Sequence, residues 1–147
     1  MTAMTKTSPP VLGVMESALY AADLTAARDF WQGVMGLEAF QSVPGRHVFF
    51  RVQDRPRPQV LLVFCPDATE KPPSSTARLP VPPHGARGPG HFCMAVAADQ
   101  MDRWRQHLIA HGIAIEADFQ WPNGARSLYF RDPAGNSIEL AEPHLWS

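Results

Sequence analysis

Residues 16–40, ESALYAADLTAARDFWQGVMGLEAF, and residues 91–115, HFCMAVAADQMDRWRQHLIAHGIAI, are two versions of one pattern. Each opens with a polar residue (Glu16, His91) at the head of an apolar, strand-like run. Each then reaches an aspartate (Asp23, Asp99) suited to capping a helix and stops at a glycine (Gly36, Gly112), thirteen positions on in both halves. Leu24, Ala27, Trp31 and Val34 share a helical face, as do Met101, Trp104 and Leu108. The match continues downstream. GRHVFFRV (45–52) lies opposite ARSLYFRD (125–132), and QVLLVFC (59–65) opposite SIELAEP (137–143), which sets Leu61 against Glu139. A repeat of this kind dictates the fold more than any composition value does. Each half reads strand, helix, three strands, and one such βαβββ unit leaves a sheet face that it cannot cover alone. The expectation is an α+β protein of two tandem βαβββ modules, with a curved, partly closed mixed sheet around a cavity.

The parts divide as a flexible tail (1–10), a first module (11–65), a connection (66–90) and a second module (91–147). The connection holds seven of the fifteen prolines and has neither strand nor helix period, so it reads as an inter-module spacer. Its end, PPHGARGPGH, carries His84 and could fold back over a pocket. A net charge of −1 without a Lys/Arg block gives no reason to expect nucleic acid as a partner. The longest apolar run, Val60 to Cys65, is too short to span a bilayer, and MTAMTKTSPP lacks the apolar core of a secretory signal. Two cysteines, Cys65 and Cys93, are no disulfide framework, so reduced thiols in a cytosolic protein are expected.

SLYFRDPAGNSIEL (127–140) reads as two strands around the turn Asp132-Pro133-Ala134-Gly135-Asn136. Glu139 sits between Ile138 and Leu140, so if those face a core the carboxylate faces either water or a cavity. Cys93 shares a strand face with His91 and reads as a small buried hydrophobe. His107 and His111 are four apart on a helix, but no HExxH context accompanies them, so a solvated helix end is expected.

The βαβββ repeat, LYAADLTAARDFWQGVMGLE, GHFCMAV and SLYFRDPAGNSIEL together resemble the vicinal oxygen chelate superfamily, which includes glyoxalase I, bleomycin-resistance proteins, fosfomycin-resistance enzymes and extradiol dioxygenases. The resemblance spans nearly the whole chain apart from the tail and the connection. Scaffold alone does not select a reaction. It implies a homodimer and a small-molecule substrate that chelates one divalent metal ion (Fe, Mn, Ni, Co, Zn or Mg) through two oxygens. The alternative it implies is a metal-free binding protein of the bleomycin-resistance type, for which Trp31, Trp104, Trp121 and Trp146 are candidate lining residues. Carried onto this chain, the family's ligand positions fall on Glu16, Leu61, His91 and Glu139. Leucine cannot ligate, so Glu16, His91 and Glu139 remain as the expected metal ligands. Extradiol dioxygenases and fosfomycin-resistance enzymes carry histidine where Glu16 stands, and glyoxalase I relatives use four ligands. Glu16 is also a candidate general base, or a partner for Arg46 or Arg126. Tyr129 matches a substrate-contacting tyrosine of fosfomycin-resistance enzymes and is the other catalytic candidate. His47 and Phe49, the repeat partners of Ser127 and Tyr129, together with His84, are the substrate-binding candidates.

Overall fold

The computed structural model describes residues 8–147, so the first seven residues of the expected tail lie outside the described part. β1 (Glu16–Tyr20), β2 (Glu38–Val43), β3 (His47–Gln53) and β4 (Gln59–Phe64) form one sheet in the order β1-β4-β3-β2. β5 (His91–Ala95), β6 (Ala117–Gln120), β7 (Arg126–Arg131) and β8 (Ser137–Ala141) form the other in the order β5-β8-β7-β6. In both, the first strand runs parallel to the last and the remaining pairings are antiparallel. The chain is thus α+β and built of two tandem modules with one topology.

The helices follow their end signals unequally. Asp23 caps α1 (Leu24–Arg28), its Oδ1 accepting from Ala26 N at 3.0 Å. The helix then widens into a π-helical stretch over Asp29–Val34. Asp99 does not act as a cap, contrary to the repeat: it lies within a 3₁₀ turn (Ala98–Gln100) that leads into α3 (Met101–Ala110), whose start has no side-chain cap. The two stop glycines do agree. Gly36 and Gly112 take φ of +74° and +73°, the left-handed geometry that ends a helix without penalty only at glycine.

Period-two alternation assigns the sheet faces. Phe50, Leu61, Leu128, Phe130, Ile138 and Leu140 point to one side and are fully or almost fully buried with Trp31, Met101 and Leu108. The first module's helix packs on β3 and β4 of its own sheet and also reaches the second sheet, where Phe30 packs against Phe130 (centroids 6.3 Å apart) and Trp31 against Phe92 (6.0 Å). His107, expected to be solvated, instead ties the two helical layers together through a 2.7 Å contact of its Nε2 with the Val34 carbonyl.

The DPAGN turn is a junction between modules. Asn136 N donates to Asp132 Oδ1 (2.8 Å), and its side-chain amide donates to Asp132 Oδ2 (2.9 Å) and to the Tyr20 carbonyl (3.3 Å). Its Oδ1 accepts from Gly90 N (2.8 Å), so one buried asparagine holds the end of β1 to the start of β5. The connection is not a bare spacer. It contains a short helix, α2 (Pro66–Thr69), and then returns across the first sheet, where Tyr20 Oη meets His84 Nδ1 at 2.7 Å and His84 N donates to Thr69 O at 2.9 Å. Arg87 fastens its end to Asp67 and Glu70, at 2.7 Å each.

Candidate functional site

With Ile138 and Leu140 in the core, Glu139 faces the opposite side of the second sheet, and it does not meet water there. It is only 4% exposed, paired in register with Cys93 on β5 and Tyr129 on β7. A buried carboxylate needs partners. Ser127 Oγ, fully buried, donates to Glu139 Oε2 at 2.6 Å and in turn accepts from Trp121 Nε1 at 2.8 Å. On the other side His91 Nε2 stands 3.3 Å from Glu139 Oε1.

The histidine's second nitrogen decides what that contact means. His91 Nδ1 lies 3.0 Å from the Ser137 carbonyl oxygen, which can only accept, so the Nδ1 proton is committed there. In the neutral ring Nε2 then presents a lone pair to a carboxylate oxygen. Two acceptors this close require a cation between or beside them, either a proton or a metal ion. The donor set therefore fits a divalent metal: a neutral imidazole nitrogen and a carboxylate oxygen, each oriented by a second hydrogen bond.

Tyr129 stacks on His91 (centroids 6.1 Å, 17°) and on Phe119 (5.8 Å, 6°). Burial, and then the neighbouring Glu139 carboxylate, push its phenol up to about 12, so it keeps its proton at neutral pH. Cys93 opens to solvent along this face rather than being buried as expected. Its sulfur is nevertheless crowded by protein and faces Glu139, and those two effects, in that order, push the thiol up to about 12.

Glu16 heads β1 on the first sheet and is exposed. Among the described residues no group of three or more His, Cys, Asp and Glu side chains stands close enough to hold a metal ion, so Glu16 is not brought to His91 and Glu139 within one chain. Neither arginine suggested as its partner takes it: Arg46 Nη1 reaches the Ala68 carbonyl at 3.5 Å, and Arg126 binds Asp118 and Asp102. The register also moves the repeat partner of Glu139. Glu16 pairs with Val60 as His91 pairs with Ser137, which makes Leu62, not Leu61, the counterpart of Glu139. Leu61 corresponds to Ile138 and is buried in the core.

His47 and Phe49 face a separate cavity of about 760 Å³ on the first sheet, lined also by Glu16, Leu62, Phe64 and His84. Of the four tryptophans, Trp31 is core, Trp146 is 93% exposed, and Trp121 supports Ser127. The residue that sequence reasoning passed over is Ser127. Its signal was present, since it shares a strand face with Tyr129 and is the repeat counterpart of His47.

Two βαβββ modules that carry an imidazole–carboxylate pair on the face opposite their shared core define a class in which one scaffold serves small-molecule chemistry. Residues 13–140 match the family model of the Glyoxalase/Bleomycin resistance protein/Dioxygenase superfamily, and the chain belongs to it. A solved lactoylglutathione lyase from Agrobacterium tumefaciens is 41% identical, with a TM-score of 0.86 over 95% of this chain and 99% of that one. A fosfomycin resistance protein from Listeria monocytogenes (18% identity, TM-score 0.66, 92% and 97% covered) shares the fold. So does a glyoxalase/bleomycin resistance protein/dioxygenase from Nocardioides (19%, TM-score 0.68, 92% and 86%). No curated protein sequence matches the chain. No helix among the described residues is long and apolar enough to cross a membrane.

Proposed function

We propose that this chain is a metal-dependent enzyme of lyase or isomerase type, acting on a small substrate that presents two oxygens to a divalent ion. The observation that carries the reading is the His91 Nε2–Glu139 Oε1 pair at 3.3 Å, two acceptors held face to face by outer hydrogen bonds. His91 and Glu139 would hold the ion and Glu16 would complete the set or serve as base. The ion's contribution when bound is Lewis-acid stabilisation of a developing oxyanion. Tyr129, a neutral phenol beside Glu139, is placed to donate a hydrogen bond to a substrate oxygen. Buried Ser127 keeps the carboxylate aimed, and Phe119 stacked on Tyr129 limits water.

The separation of Glu16 from the pair supports a homodimer in which a second copy supplies the missing carboxylate. The identity to a lactoylglutathione lyase makes the glutathione hemithioacetal of methylglyoxal the first substrate to assay.

The decisive measurement is metal content of the purified protein by mass spectrometry, with activity on that hemithioacetal and oxygen uptake on catechols. The reading expects a bound divalent ion that His91→Ala and Glu139→Ala each remove. Wild-type protein that binds no divalent ion by calorimetry would overturn it in favour of sequestration. Mixing Glu16→Ala with Glu139→Ala protein tests the dimer: with random exchange, shared sites regain up to about a quarter of the lost activity through heterodimers, and separate sites regain none.

A further inference from the structure

The hydroxyl that aims Glu139 is itself aimed from behind. Ser127 Oγ carries one proton and can swing it to any acceptor in reach. Trp121 Nε1–H can only donate, so at 2.8 Å it fills a lone pair of Ser127 Oγ and leaves the hydroxyl proton for Glu139 Oε2, 2.6 Å away. The same indole meets Phe119 edge-on at 4.9 Å, and Phe119 stacks on Tyr129. Two chains of contact that end at the proposed centre therefore start from one half-buried side chain.

Trp121 sits on the turn between β6 and β7, where Gly124 N donates to Trp121 O and Trp121 N to Ala125 O, both at 2.8 Å. Pro122, Asn123 and Gly124 of this turn face solvent, and alone they would hold an indole loosely. The end of the chain braces them. Asn123 Oδ1 accepts from Ala125 N at 3.1 Å, and its Nδ2 donates to the carbonyls of His144 (3.2 Å) and Leu145 (3.1 Å). That ties the turn to the 3₁₀ segment Pro143–Trp146. Just before this segment, Glu142 is anchored to β7, its Oε2 accepting from Arg126 N (2.6 Å) and its N donating to Arg126 O (3.1 Å). Leu145 and Trp146 then line a small apolar groove together with Trp121 and Pro122.

We infer that Trp121 is a positioning residue of the His91–Glu139 centre and that the C-terminal segment, through Asn123, sets its grip; the inference rests on the reading proposed above for that pair. The device acts by fixing which way one proton points. Its loss weakens metal binding through Ser127 without removing a ligand.

Trp121→Phe keeps a ring in place and deletes the N–H. Asn123→Asp keeps the acceptor for Ala125 N and turns the donor into a carboxylate facing two carbonyls. In EDTA the side-chain carboxyl carbon resonance of Glu139 should move in both variants, and the Trp121 indole N–H should exchange faster in Asn123→Asp than in wild type. Calorimetric titration of Zn²⁺ should give a Kd raised about tenfold in Trp121→Phe and by up to that factor in Asn123→Asp. The double variant should bind like Trp121→Phe alone, because Asn123 acts through the indole. A merely structural turn would lower Tm, leave the carboxyl resonance still and make the two losses add. An unmoved Glu139 resonance in Trp121→Phe, or additive losses in the double variant, would overturn the inference. Wild-type protein that binds no divalent ion would sink the metal reading itself, whereas the Glu139 resonance in EDTA decides the positioning role without it.

Discussion

Ser127→Ala tests the supports of the proposed centre with the smallest possible change, one oxygen atom. That atom accepts from Trp121 Nε1 at 2.8 Å and donates to Glu139 Oε2 at 2.6 Å, in a spot where none of Ser127 is exposed. A hydrogen bond to an ionised group contributes about 1.5–3 kcal/mol, and the orphaned indole N–H adds roughly another 1 kcal/mol. A loss of about 3 kcal/mol follows, which for a domain of this size lowers Tm by roughly 6–12 °C. Urea unfolding in EDTA measures that part without metal. The second consequence concerns aim. Outer partners of metal-binding side chains are worth about 10–100-fold in affinity, so calorimetric titration of Zn²⁺ or Ni²⁺ should show a Kd raised by that factor. Ser127→Thr, which keeps the hydroxyl, should restore much of the affinity even if its extra methyl strains the fold. Unchanged metal affinity in Ser127→Ala, alongside its loss in Glu139→Gln, would refute the claim that this hydroxyl orients the carboxylate. An unchanged Tm would refute the buried bond itself.

Three further outcomes are expected. His47→Phe removes two unpartnered buried nitrogens while keeping the stack on Phe49, so the ligand-free protein should gain about 1–3 kcal/mol in denaturant unfolding. Asn136→Ala strips the junction of its bonds to Gly90 N, Tyr20 O and Asp132 and should cost roughly 3–4 kcal/mol, with faster amide exchange at Gly90. Hydrogen bonds from Arg126, and then its charge and that of Arg105, hold Asp118 below the usual carboxylate range. A depressed folded pKa stabilises above the unfolded value and is lost as pH falls through the folded one. Asp118→Asn should therefore cost roughly 1 kcal/mol at pH 7, and its difference from wild type should close in acid-unfolding curves as pH falls below the ordinary aspartate range.

The repeat was legible because helix stops and strand faces leave periodic marks. Gly36 and Gly112 adopt the same left-handed backbone, and His47, Phe49, Ser127 and Tyr129 stand in register as aligned. The one-residue slip that set Leu61 against Glu139 also has a physical cause. VLLVF in β4 is apolar on both faces, because one side meets the core and the other lines the aromatic chamber, so no alternation marks which leucine points where. The returning connection was illegible for a different reason. Its position depends on single tertiary contacts of His84 and Arg87, which have no period to read.

Corrected by one residue, the comparison of the modules explains both sites at once. In the second module, the serine on the strand beside Glu139 has a carboxylate to bond, and the carboxylate is thereby held towards His91. In the first, the same two slots hold His47 and Leu62. A leucine there removes the fourth ligand position that the family pattern allows, and it also removes the acceptor that a group at position 47 would otherwise meet. The missing ligand and the orphaned imidazole are therefore one divergence seen from two sides. One face keeps its polar groups paired through Ser127, Glu139 and His91, while the other is an aromatic pocket in which His47 has no hydrogen-bond partner among the described residues.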